Sequence, residues 1–296
     1  MADGSVTIDT LLNNEGLEKG INGIKGTFSK IGSIASTALK GVTVAIGATA
    51  TALTGLGVAS VKSYADLEQN VGGIETLFKG SAEKVIKNAE NAYKTAGMSA
   101  NDYMSTVTSF SASLLQSLGG DTEKAAGYAD RAIVDMSDNA NKMGTSMDLI
   151  QNAYQGFAKQ NYTMLDNLKL GYGGTKEEMQ RLITDASKLT DVQAELGITV
   201  DKNSMSFGNI VNAISVMQKQ MDISGTTAKE AATTISGSIS SVKASLDNFL
   251  NGSGTIEQVV ETTVTAMQNI VNAVGQLLPQ IVTSIANAIP TIVERS

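Results

Sequence analysis

The sequence predicts an all-α, partly elongated protein, and three observations carry that prediction. Hydrophobic residues make up 42% of the 296, yet aromatic residues only 4%, and Trp is absent. The apolar content is therefore mostly small and aliphatic, which suits helix-on-helix packing. Apolar residues recur three and four positions apart over most of the chain. Several of those runs open on Ser or Thr followed three residues later by an acid, the spacing of a helix N-terminal capping box.

In order along the chain, residues 1–63 form an amino-terminal arm and a small-residue apolar helix. Val6 and Ile8 alternate with polar residues until Asn13-Asn14, a pattern of one short strand or extended arm. From there Leu17, Ile21, Ile24, Phe28 and Ile31 fall on one helical face. Between Lys40 and Lys62 no residue is charged, and GVTVAIGATATALTGLGVASV would reach about 30 Å as a helix, the thickness of a bilayer core. Its Ala, Gly and Thr content makes insertion into lipid marginal. The small-x-x-x-small pairs Gly41 with Ala45 and Ala48 with Ala52, continued by Gly55 and Gly57, equally suit close helix association. Both readings stand at this point. Every charge between Glu18 and Asp66 is a lysine, so this segment is cationic within a chain of net charge −7.

Residues 64–251 are expected to form a compact helical domain. Ser99–Asp102, Thr175–Glu178 and Thr227–Glu230 are its capping boxes, and Gly72-Gly73, Gly119-Gly120 and Gly171-Tyr172-Gly173-Gly174 its expected breaks. Val107, Phe110, Leu114, Leu115 and Leu118 mark a buried stripe. Tyr103, Tyr128, Tyr154, Tyr162 and Tyr172 are read as packing anchors. Asp135, Asp138, Asn139 and Asn141 lack the glycine of a calcium loop and are read as a solvated helix face or helix end.

Residues 252–296 carry an internal repeat. Val259-Val260, Ile270-Val271, Ile281-Val282 and Ile292-Val293 recur every eleven residues, a period that favours a right-handed supercoil of associating helices. The repeat face is Val260, Val264, Met267, Val271, Val274, Leu278, Val282, Ile285, Ile289 and Val293. No charge separates Glu261 from Glu294, but interspersed amides such as Asn269, Asn272 and Gln276 favour self-association or a lumen-facing helix over a membrane anchor. Pro279 and Pro290, one repeat apart, predict gentle kinks.

Chemistry is constrained by omission. With no His and no Cys the chain cannot build a thiolate or imidazole metal site, a disulfide, or a histidine-based triad. Gly171–Lys176 lacks the spacing of a phosphate loop, and neighbouring acids such as Asp66 with Glu68, or Glu177 with Glu178, do not converge on a substrate. No catalytic, cofactor-binding or metal-binding residue is expected, and the chain is read as a non-enzyme. Its acidity gives no footprint for nucleic acid. The acidic start, Met1-Ala2-Asp3, is unlike a cleaved export signal.

Longer ordered segments carry a family likeness. YADLEQNVGGIETLFKG at Tyr64–Gly80, ANDYMSTVTSFSASLLQSLGGDTEKAAGYAD, DMSDNANKMGTSMDLIQNAYQGFAKQNYTMLDNLKLGYGGTKEEMQRL and SGTTAKEAATTISGSISSVKASLDNFL resemble the amino-terminal part of tail tape measure proteins from phages and prophages of Gram-positive bacteria. The resemblance spans about Tyr64 to Leu250. It implies a protein in the lumen of the virion tail, made in the host cytoplasm, that templates tail tube length and is released toward the host envelope during DNA ejection. It implies as partners the tail tube protein, tail assembly chaperones and distal tail or baseplate proteins, with self-association into a homo-oligomer and transient contact with the host membrane. Members of the family are usually much longer, so the repeat helix is expected to be truncated, a split gene product or the ruler of a very short tail being alternatives. A membrane-active pore former is the competing class, resting on the two uncharged stretches.

Overall fold

A computed structural model describes the backbone of residues 52–293, with side chains from 62 to 273 and at 275. The chain divides into two units, 1–57 and 58–296. Apart from the first residues of α1, the elements below belong to the second. The arm at Val6 and Ile8, the run from Leu17 to Ile31, and Gly41, Ala45 and Ala48 lie outside the described residues. The described elements are all helical, in the order α1 (Ala52–Phe78), a 3-10 turn at Lys79–Ser81, α2 (Ala82–Thr95), α3 (Ala100–Ser117), α4 (Thr122–Met143), α5 (Met147–Ala158), a second 3-10 turn at Leu165–Leu168, α6 (Lys176–Lys188), α7 (Thr190–Leu196), α8 (Phe207–Gln220), α9 (Thr226–Thr233), α10 (Ile235–Asn251) and α11 (Ile256–Val293).

One core joins α1 through α8. Ile74 and Phe78 of α1 meet Val85 and Ala89 of α2, Tyr103, Val107, Phe110 and Leu114 of α3, and Ile133 and Met136 of α4, all buried. Phe110 packs edge-on against Phe207, ring centroids 5.9 Å apart, and so ties α3 to α8. Tyr154, Phe157 and Tyr162 form a chain of rings with spacings of 5.8 and 6.4 Å. Tyr103, Tyr154, Tyr162 and Tyr172 are buried, as their reading as anchors requires, and Tyr128 is half-buried.

Two of the three predicted capping boxes form. The Ser99 hydroxyl accepts from the Asp102 amide at 3.2 Å and donates to the Asp102 carboxylate at 2.9 Å. Thr175 accepts from the Glu178 amide at 3.2 Å, while Glu178 reaches back to the Gly173 amide at 3.0 Å. The third does not: α9 starts at Thr226 after Gly225, and the Thr227 side chain is not its cap. Asp138 of α4 takes that role from a distance, accepting from the Gly225 amide at 2.5 Å and the Thr227 amide at 2.8 Å.

Gly72-Gly73 is a second correction, because both lie inside α1. A Cβ on Gly73 would sit 3.3 Å from Thr108 of α3, so Gly73 serves close helix approach, while Gly72 faces open space and neither breaks the helix. The chain turns instead at Lys79–Ser81. Gly119 and Gly120 do break the chain, and Gly144, at φ +66°, closes α4 in a left-handed conformation that a side chain would strain.

The boundary expected at 251/252 falls at the turn between α10 and α11, and α11 then folds back along α10. The Ser245 and Thr262 hydroxyls are 2.8 Å apart, and the Asn269 amide group donates to the Ala232 and Thr234 carbonyls at 3.2 and 3.1 Å. Val259, Thr262 and Ala266 are buried there, and Lys94 of α2 pairs with Glu261 at 3.1 Å. The helix continues through Pro279 and Pro290 to Val293.

Candidate functional interface

The surface that distinguishes this molecule is the outer side of the α10–α11 hairpin. On α10 the inward face is small and polar: Ser238, Ser241, Ala244, Ser245 and Asn248 are buried, and Asn248 Oδ1 caps α3 by accepting from the Ala100 amide at 2.7 Å. Ile235, Ile239 and Leu246, spaced four and seven apart, stay exposed on the other side. Small inward residues let α10 lie close to α2, α3 and α11. The large apolar residues stay partly exposed among the described residues.

The predicted repeat face is only partly exposed. Val260, Val264 and Met267 are half-buried and Val271 is 59% exposed. The face that α11 gives to the domain is Val259, Thr262 and Ala266, one residue back from Val260 and Met267, and one residue turns a helix by about 100°. The repeat stripe is therefore not the packing stripe. Val274, Leu278, Val282, Ile285, Ile289 and Val293 continue its spacing along α11, and their side chains lie outside the described residues. Ala52, Gly55 and Gly57 occupy the first turns of α1, where side chains are likewise outside the described residues. Among the described residues no helix is long and apolar enough to cross a membrane.

A cleft of about 640 Å³ opens between α10 and the α3–α5 side of the domain, lined by Met98, Asp102, Met147, Asp148, Lys243 and Asp247 among others. Its acids are spoken for or stand apart: Asp102 takes the Ser99 hydroxyl, and Asp247 takes the Ser63 hydroxyl at 2.8 Å. No group of three or more acidic side chains able to hold a metal ion occurs among the described residues.

The buried polar side chains of α4 were not expected. Asp135, Asp138 and Asn139, read from sequence as a solvated face, are buried, and only Asn141 is exposed. Burial pushes the Asp135 carboxyl up to about 7, against the pull of its bond from Ser215 and of Arg131. Burial also raises Asp138, against the backbone amides it accepts from. Elsewhere Arg181 grips Glu178 through two bonds, at 3.0 and 2.5 Å, and lies over the Tyr172 ring at 4.4 Å, holding Glu178 down at about 2.

Compared with known proteins, the chain matches no family model, no curated protein and no solved structure.

Proposed function

We propose that this chain is the amino-terminal part of a phage tail tape measure protein, a non-enzymatic ruler that templates tail tube length inside the tube lumen. The observation that carries the reading is α11: one helix of 38 residues whose eleven-residue apolar stripe, from Val260 to Val271, is not the face it packs on the domain. A helix is a linear gauge, at about 1.5 Å per residue, whereas a globule is not. The stripe, half-buried at Val260, Val264 and Met267 and exposed at Val271, suits lateral association with further copies and with tail proteins, and the sequence likeness over Tyr64–Leu250 points the same way. Tail tube protein, assembly chaperones and distal tail proteins are the partners this role requires, with release toward the host envelope during ejection. A pore former is the second reading, resting on the two uncharged stretches; among the described residues no helix is long and apolar enough to cross a membrane, and residues 41–51 lie outside them.

Deletion of one repeat, Gly275 to Ile285, tests the ruler. Tails assembled with the deleted chain should be shorter by about 16 Å, and duplication of the unit should lengthen them equally, as read in electron micrographs of many particles. Assembled tails of unchanged length would remove the assignment.

A further inference from the structure

The buried apolar core stops at Ile223. Among the described residues none after it joins that core, although α9 and α10 lie against α2, and touch α4 and α3 respectively. What α10 turns inward is Ser238, Ser241, Ala244, Ser245, Asn248 and Asn251, side chains whose burial removes little apolar area from water. A seam runs between the two layers. The cleft of about 640 Å³ continues into a second of about 280 Å³, the two sharing Ala96, Gly97, Ser137, Ala140 and Ser240. Packed interiors leave few voids larger than a water molecule, so α9 and α10 rest on the core without interlocking with it.

The named bonds that cross the seam are few and polar. The Asp138 carboxylate holds the start of α9 through the Gly225 and Thr227 amides, and the Ser137 and Thr227 hydroxyl oxygens are 3.1 Å apart. Asn248 accepts from the Ala100 amide, and Asp247 from the Ser63 hydroxyl. Water replaces such bonds on separation, and the exposed Lys94–Glu261 pair adds little. Within α9–α11 the fit is closer. A Cβ on Gly237 of α10 would sit 2.5 Å from the Glu230 backbone of α9, Ser245 meets Thr262, and Asn269 reaches the Ala232 and Thr234 carbonyls. One connection, residues 221–225, leads from the core into these helices. Ile223 is anchored in the core, and Asp222 and Gly225 on either side of it have φ of +55° and +80°.

We propose that α9, α10 and the part of α11 packed on α10 form a strap that releases from the core in one cooperative step while α2–α8 stay folded, with the Asp138 carboxylate as its clasp. Cooperative units that share few buried apolar contacts with the rest of a protein open more readily than the whole molecule unfolds. Once released, the strap does not keep its helices. α9 has eight residues, fewer than an isolated helix needs to persist, and α10 carries five serines and a glycine. Release uncovers Met98 and Met147 in the cleft and the Ala100 amide at the start of α3, and it frees α11 from the domain.

Native-state hydrogen exchange of the full chain, followed by mass spectrometry, tests the strap. Amides of α9 and α10 should share one protection factor, lower by about tenfold or more than that of α3, α4 and α8. Asp138→Asn should speed exchange in α9 and α10 by the same factor, although the carboxylate bonds only at the start of α9. Because the chain has no cysteine, Ser137→Cys combined with Thr227→Cys places one disulfide across the seam and nowhere else. Oxidised, that variant should slow α9 and α10 toward the rates of the core, and reductant should restore them. Protection of α10 equal to that of α3 and α8, an Asp138→Asn effect confined to α9, or exchange indifferent to the disulfide would overturn the proposal.

Discussion

Asp138 shows how much one side chain can hold. Its carboxylate accepts two backbone amides at the start of α9, and its own carbonyl takes the Thr226 hydroxyl at 3.3 Å, so it joins α4 to a helix that follows it by some ninety residues. Asp138→Ala would take the acceptor from those part-buried amides and should cost about 1–3 kcal/mol, read as a drop in the urea midpoint without a change in slope. A local window could not find this cap, because the partner is far away in sequence. Thr227–Glu230 had the right letters, but Asp138 offers a charged acceptor already fixed by its own helix. A trace of the buried polar row was nonetheless present. Asn139 lies seven and fourteen residues after the buried Ala132 and Ala125, on the apolar face of α4, where an amide is out of place unless it is bonded. Glu178 gives a simpler residue-scale test. Its folded value is depressed, so its contribution is present above the ordinary carboxylate range and is lost as pH falls toward about 2. Nuclear magnetic resonance should place its titration midpoint near 2 and raise it toward the usual range in Arg181→Ala, short of full return because the Gly173 amide still donates to it.

At the scale of elements, helix starts were legible wherever the cap is local, as at Ser99 and Thr175. Gly72-Gly73 misled because glycine marks either a turn or a close approach, and only the neighbouring helix decides which. The eleven-residue period was legible too, but its phase relative to the domain was not, since Val259 and Val260 look alike in sequence and lie on different faces. That difference is measurable. Val259→Asp puts a charge into the contact with α10 and should destabilise the domain by about 3 kcal/mol or more in chemical denaturation. Val271→Asp, on the uncovered side, should leave stability within about 0.5 kcal/mol and instead weaken self-association in sedimentation velocity.

For the whole molecule, a ruler that works through an apolar stripe depends on length and on phase, and these can be separated. Eleven residues at about 100° each return the stripe to within about 20° of its starting direction, whereas nine residues leave it half a turn away. Deleting nine residues from α11, Gly275 to Thr283, shortens an ideal helix by about 14 Å, little different from the 16 Å of the full repeat. If only length mattered, both deletions would give slightly shorter tails in similar yield. If the stripe seats the helix on its neighbours, the nine-residue deletion turns Ile285, Ile289 and Val293 away from the face that Val260, Met267 and Val271 define. Tail yield should then collapse for nine and hold for eleven, counted as assembled tails per cell lysate by electron microscopy. Equal yields would leave α11 as a spacer and would move the association surface to Ile235, Ile239 and Leu246 of α10, whose phase neither deletion disturbs.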